Sequence, residues 1–223
     1  MGCDIHMNYE VLKDGKWEYH DFEESFRIGT YSDGSVKFDY DKMWKHPLYV
    51  DRGYNLFSIL ANVRNGYGFA GCSTSSGFNF ISQPRGLPKD VSDEVRTKSD
   101  DWGCDGHSHS FLAVQEVLEF DWDQTVTLFG AVSPSEYKEF KENGAPSNWC
   151  GGASGSAVRN ITNEEMDDLL GDLGDDLHYY TRVSWQRSYK EAVGSEWLAT
   201  WFQTLQELQS QEGPVRLVFW FDN

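Results

Sequence analysis

Asp4 and His6 stand two residues apart in a segment, residues 3–12, in which polar and apolar residues alternate. Period-two spacing puts both side chains on the same side of a strand. His107 and His109 follow much later, in the turn-rich stretch DWGCDGHSHS. A carboxylate with two or three imidazoles is a donor set for zinc, manganese or iron, so a divalent transition metal on Asp4, His6 and His107 is one expectation. Without a metal, His6 and His107 can work as an acid/base pair, because imidazole titrates near neutral pH. Either arrangement would suit a phosphodiesterase-type hydrolase with Asp4, His6 and His107 as its catalytic residues. The bland alternative is that Asp4 and His6 satisfy buried backbone groups while His109 faces solvent.

Four arginines border loops: Arg52, Arg64, Arg85 and Arg182. Arg52 and Arg64 flank one helical pattern, and Arg85 sits in the turn between Pro84 and Pro88, where proline restricts the backbone. Planar guanidinium forks in rigid positions can clamp a carboxylate or phosphate, although pairing with one of the 36 acids is the default. Aromatic residues crowd the irregular segments, among them Tyr31, Tyr40, Trp44, Tyr49, Tyr54, Tyr67 and Trp102. Stacking on such rings contributes about 1–3 kcal/mol per base, and core plugging is the competing role. The loop CGGASGS at 150–156 offers backbone N–H groups to an anion but lacks the G-x-x-x-x-G-K-[ST] pattern, which favours a plain surface loop. Cys150 within it is a weak nucleophile candidate.

The elements that would position these residues follow from periodicity. Residues 3–12 and Lys16–His20 read as a hairpin closed by Asp14-Gly15. Residues 21–53 show no clean period and read as a long irregular excursion. Tyr54–Asn65 is helical, with Leu56, Ile59, Leu60 and Val63 on one stripe. A short helix is expected near Ser92–Lys98, and another over Ser110–Glu119 with Ser110 as its N-cap. Thr125–Val132 reads as a strand, followed by a helix opened by Ser133-Pro134. Thr162–Gly171 carries a capping box, His178–Tyr189 alternates as a long strand, and Ser195–Gln209 is amphipathic. Val215–Phe221 is an apolar run bounded by Pro214 and Asp222, as in a central strand. The order predicts an α+β fold: a mostly antiparallel or mixed sheet, helices mainly on one side, and long Gly/Ser/aromatic loops. With 223 residues, one domain over 1–223, or at most a domain with a large insertion, is expected.

Bulk properties bound the function. The formal net charge of -17 repels phosphate backbones, so bulk nucleic-acid binding is disfavoured. No stretch approaches the length of a membrane span, and MGCDIHMNYE is not a secretory signal. Four widely spaced cysteines suggest free thiols in a reducing, cytoplasmic setting. A homodimer is the ordinary expectation for assembly.

The segments MGCDIH, RGYNLFSILANVRN, PRGLPKDVSDEV, DGHSHSFL and VRLVFWFDN together resemble an uncharacterised family found in bacteriophages and bacteria. The resemblance runs from end to end and brings no established activity. It implies a D-x-H-S-x-S pattern over residues 105–110, which singles out His107, Ser108 and Ser110 rather than His109. It also implies a phage protein acting in the bacterial host cell on metabolism or defence. The leading expectation is therefore capture of a nucleotide-derived signalling molecule, with Arg52, Arg64, Arg85, Trp102, Ser108, Ser110 and Arg182 contacting the ligand. The alternatives are the hydrolase above and an acidic interaction protein that blocks a host nucleic-acid-binding protein.

Overall fold

The computed structural model describes residues 2–173 and 178–222. From the start of the chain it runs β1 (Ile5–Lys13), β2 (Lys16–Tyr19), β3 (Arg27–Thr30), β4 (Val36–Phe38), α1 (Tyr40–Met43), α2 (Tyr54–Ala61), α3 (Asp93–Asp101) and β5 (His107–Ala113). It continues through α4 (Val114–Glu119), β6 (Thr125–Val132), α5 (Pro134–Asn143), β7 (Arg159–Asn160), α6 (Asn163–Leu173), β8 (Tyr179–Ser188), α7 (Tyr189–Val193), α8 (Ser195–Glu212) and β9 (Val215–Phe221). The fold is α+β with antiparallel and mixed sheets. The chain forms two compact units: the first takes residues up to Val63, Asn79–Asp121 and Val193 onward, the second Arg64–Phe78 and Trp122–Ala192. No described helix is long and apolar enough to cross a membrane.

Unit 1 is built on the antiparallel sheet β2-β1-β9-β5. Asp14 and Gly15 both adopt positive φ, 50° and 79°, which turns the β1–β2 hairpin with the twist its strands need. All seven residues of β9 are buried, so elements cover both faces of the sheet. On one face, Phe57 of α2 meets Phe221 edge-on at 5.1 Å, and Trp201 of α8 donates its indole N–H to Tyr9 at 3.0 Å. Tyr9 donates in turn to the Leu48 carbonyl at 2.9 Å, so this buried hydroxyl is fully used. On the other face, Val91 and Val95 pack with Val218 and Trp220. The excursion 21–53 is less irregular than its sequence suggests, since it holds the β3–β4 hairpin and α1.

Glu10 and Arg216 face each other across β1 and β9 inside this second layer. Glu10 is fully buried and accepts from Arg216 Nε at 2.7 Å and from the Ser92 backbone N–H at 2.7 Å. Arg216 also donates to Asp90 Oδ1 at 2.8 Å and stacks over Trp17 at 4.1 Å. Ser92 then caps α3, its Oγ accepting from Val95 N–H.

Ser110 does not cap a helix. It lies in β5 opposite Phe219, and α4 begins only at Val114, where the Glu116 carboxylate accepts from Ala113 N–H at 2.9 Å. Pairing with the apolar β9 outweighs the local capping signal.

In unit 2, all of β6 pairs antiparallel with Thr181–Ser188 of β8, and β7 adds in parallel to the start of β8, giving the order β6-β8-β7. Isolated bridges Ser75–Leu128 and Ala131–Cys150 lie along β6. The start of α5 is capped by Ser133 with Pro134 in its first turn, and α6 by the reciprocal Thr162–Glu165 pair. Gly130 is required by close packing, because a Cβ there would fall 2.6 Å from the Trp149 ring.

Removing one partner of a buried ion pair strands the other. Glu10→Ala is expected to lower the unfolding free energy by about 3–5 kcal/mol, whereas a paired Glu10→Met, Arg216→Met exchange restores most of it. Urea denaturation of both variants measures the difference.

Candidate functional site

Residues from five segments of unit 1, one of them contributing Glu23 alone, enclose a cleft of about 520 Å³. Asp4 and His6 come from the start of β1, and Trp220 and Asp222 from the end of β9. Lys98, Asp101 and Trp102 come from α3 and its C-cap, and Tyr49, Asp51 and Arg52 from the segment before α2. His6 and Trp220 are direct cross-strand partners, which places them on one face of the sheet.

Asp222 organises this end of the cleft. Its Oδ2 lies 3.1 Å from His6 Nε2, while its Oδ1 accepts the Asp4 backbone N–H at 2.8 Å. Trp102 closes over the imidazole with ring centroids 3.9 Å apart. On the sheet, Trp220 stacks 5.9 Å from His6 and 5.6 Å from His109, so a row of rings crosses three strands. Ser99 of α3 holds His109 Nε2 at 2.9 Å.

Asp4 forks Arg52 through two bonds of 2.6 Å. The hydrogen bond to Arg52 pulls the Asp4 carboxyl below its ordinary range, and Asp4 raises Arg52 in return. The Arg52 guanidinium lies against Gly2, where a Cβ would approach to 2.8 Å.

The structure does not assemble Asp4, His6 and His107 into one site. His107 pairs with Phe221 and His6 with Trp220, one residue along the same strand, so the two imidazoles emerge on opposite faces of the sheet. A register shift between His107 and Ser110, with Ser108 at φ 53°, separates the H-x-H residues onto different faces. Consequently His109, not His107, joins the His6 row. His107 instead stacks 6.1 Å from Phe221, with Nδ1 3.0 Å from Ser108 Oγ. Among the described residues, no group of three or more His, Cys, Asp or Glu side chains is placed to hold a metal ion. What the cleft does bring together is a His6–Asp222 dyad.

Within unit 1, Arg52 and Arg85 do not converge. Arg52 lines the cleft, but Arg85 forks Glu116 at 2.6 and 2.9 Å and also donates to the Phe111 carbonyl. Arg64 and Arg182 belong to unit 2, where Arg182 ties the Gly151 and Ser73 carbonyls together. Ser110 is buried beneath the Arg85 backbone N–H, and Ser108 sits in the bulge. Of the residues expected to contact a ligand, Arg52 and Trp102 line this cleft. The Gly-rich loop at 150–156 packs in unit 2, with Gly151 and Gly152 against Cys72, and Cys150 is a free thiol 3.6 Å from the Ala131 carbonyl.

Sequence reasoning missed Asp222 and Asp101, whereas Tyr49, one of the loop aromatics, does line the cleft. Trp220-x-Asp222 carries the same period-two spacing as Asp4-x-His6 and was the available signal for Asp222. No family model, curated protein or solved structure matches the chain.

Burial holds His20, His46 and His109 below the ordinary imidazole range, with His107 adding repulsion at His109. A histidine lowered in the folded state takes up protons more readily in the unfolded chain, so its stability contribution is intact above its ordinary value and lost as pH falls below it. Stability is therefore expected to decline as pH falls below about 6.5, with His109→Gln flattening part of that slope. The carboxylates of Asp4, Asp90 and Glu116, lowered by arginines, add losses only below their ordinary 3.8–4.5. Denaturation midpoints measured across this range for wild type and His109→Gln check both windows.

Proposed function

We propose that the protein captures a small nucleotide-derived molecule in the cleft of unit 1, the heterocycle stacking on Trp102. The observation that carries this reading is the Trp102 indole, 37% exposed within the cleft and backed on one side by His6 at 3.9 Å. A ring already ordered by a neighbour loses little freedom when a ligand stacks on it. Arg52 sits at the same cleft in a solvent-exposed pair with Asp4, and exposed pairs contribute little, so a ligand oxygen can replace Asp4. The resemblance to phage proteins supports sequestration of a host signal as the biological role.

The His6–Asp222 contact favours a second reading, hydrolysis. When Nε2 carries the proton toward Asp222, Nδ1 keeps a lone pair and can act as a general base, the orientation that carboxylate–imidazole pairs supply in acyl and phosphoryl chemistry.

Native mass spectrometry of freshly purified protein, followed by denaturation and identification of released small molecules, tests the reading. The expected result is an intact nucleotide-derived ligand. Trp102→Ala is expected to weaken its rebinding by about 10-fold or more, consistent with the typical worth of base stacking. Conversion of the released compound by wild type, lost in His6→Ala, selects the hydrolase instead.

A further inference from the structure

Resting on that reading of the cleft, we propose that the bound species is a nucleoside, recognised through its heterocycle and hydroxyls and not through a polyphosphate chain. Five carboxylates, Asp4, Glu23, Asp51, Asp101 and Asp222, line the cleft against two fixed cations, Arg52 and Lys98. Both cations are engaged. Arg52 is forked by Asp4, and Lys98 donates to Tyr19 Oη at 2.6 Å with Glu23 4.0 Å away. By contrast, the Asp101 carboxylate makes no hydrogen bond or ion pair among the described residues, and Asp51 accepts the backbone N–H of Arg52. Ionised carboxylates are acceptors only, so this wall selects ligand hydroxyl and amino donors and repels additional phosphates.

A second observation points to the heterocycle. Trp220 lines the cleft, is 1% exposed, and its indole N–H has no acceptor among the described residues. Buried donors in folded proteins nearly always find a partner. A ring nitrogen or carbonyl of the ligand supplies one. Gly106 lets these rings pack closely, since a Cβ there would stand 3.1 Å from Trp102 Cβ and 3.5 Å from Trp220 Cδ1. Recognition thus combines stacking on Trp102, an acceptor toward Trp220, and donors toward Asp51 and Asp101.

Isothermal titration of the full chain with adenosine, guanosine, cytidine and uridine, beside their monophosphates and triphosphates, tests the inference. We expect one nucleoside to bind about 10-fold or more tightly than its triphosphate, with the gap narrowing as salt rises. Trp220→Phe is expected to weaken that nucleoside by about 10-fold, the usual scale for a lost buried hydrogen bond. Asp101→Asn, at an exposed position, is expected to shrink discrimination against the triphosphate without weakening the fold. A triphosphate that binds as tightly as its nucleoside, or more tightly, overturns the nucleoside assignment, while the cleft reading survives if Trp102→Ala abolishes that binding. Undiminished affinity in folded Trp220→Phe overturns the donor role of Trp220, and unchanged discrimination in Asp101→Asn overturns the electrostatic selection. No binding by any probe overturns both the inference and the reading beneath it.

Discussion

Glu10 and Arg216 form an ion pair inside the sheet of unit 1, and the arrangement of the cleft depends on it. A fully buried carboxylate is tolerated only when its lone pairs are used. Glu10 meets that condition by taking one hydrogen bond from Arg216 and another from the Ser92 backbone. The second bond fixes the residue that caps α3, so a demand for charge compensation in the core determines where a surface helix begins. From Ser92 to Trp102 the chain advances ten helical steps of about 1.5 Å, and from Glu10 back to His6 four strand steps of about 3.4 Å. The two paths are nearly equal in length. That match brings Trp102 over His6 when Ser92 is anchored at Glu10.

Sheet parity decides what else reaches the cleft. His6, Trp220 and His109 share a face because β1 and β9 pair without slippage while β5 carries a bulge at Ser108. Without that extra residue, His107 and His109 would share one face and the row of stacked rings would be broken. Asp222 follows β9 by one position beyond Phe221, returning to the His6 face, where it bonds both the imidazole and the Asp4 backbone. A carboxylate that holds backbone and side chain together is positioned by the end of the sheet, not by a mobile loop.

Much of this architecture was legible from periodicity. The strands at Thr125–Val132 and Val215–Phe221 and the capped helices after Ser133 and Thr162 coincide with their sequence patterns, because burial and capping act within a few residues. The failures share a cause in pairing between distant segments. Ser110 looks like an N-cap until β9 recruits it into a strand. Asp4, His6 and His107 look like a ligand set until register places His107 on the opposite face. Arg85 looks free for a ligand until Glu116, 31 residues away, forks it. Arg216 drew no notice inside an apolar run, although its Glu10 partner is fully buried and lies 206 residues away in sequence.

The arginines show how one residue type divides between framework and site. Arg216 is buried, stacked on Trp17 and bonded to Glu10 and Asp90, so loss of Glu10 would leave a charge with little water to solvate it. Arg85 is bound by a carboxylate and a backbone carbonyl at once, which fixes the turn between Pro84 and Pro88 against β5. Arg52 differs: its carboxylate partner is exposed, its guanidinium borders a cleft, and water or a ligand can replace Asp4 with little penalty. The remaining carboxylates of the cleft keep the local field negative even when Arg52 is released. In the nucleoside reading proposed above, Arg52 would orient one ligand oxygen without offsetting a chain of phosphates, and selectivity would rest on rings and donors.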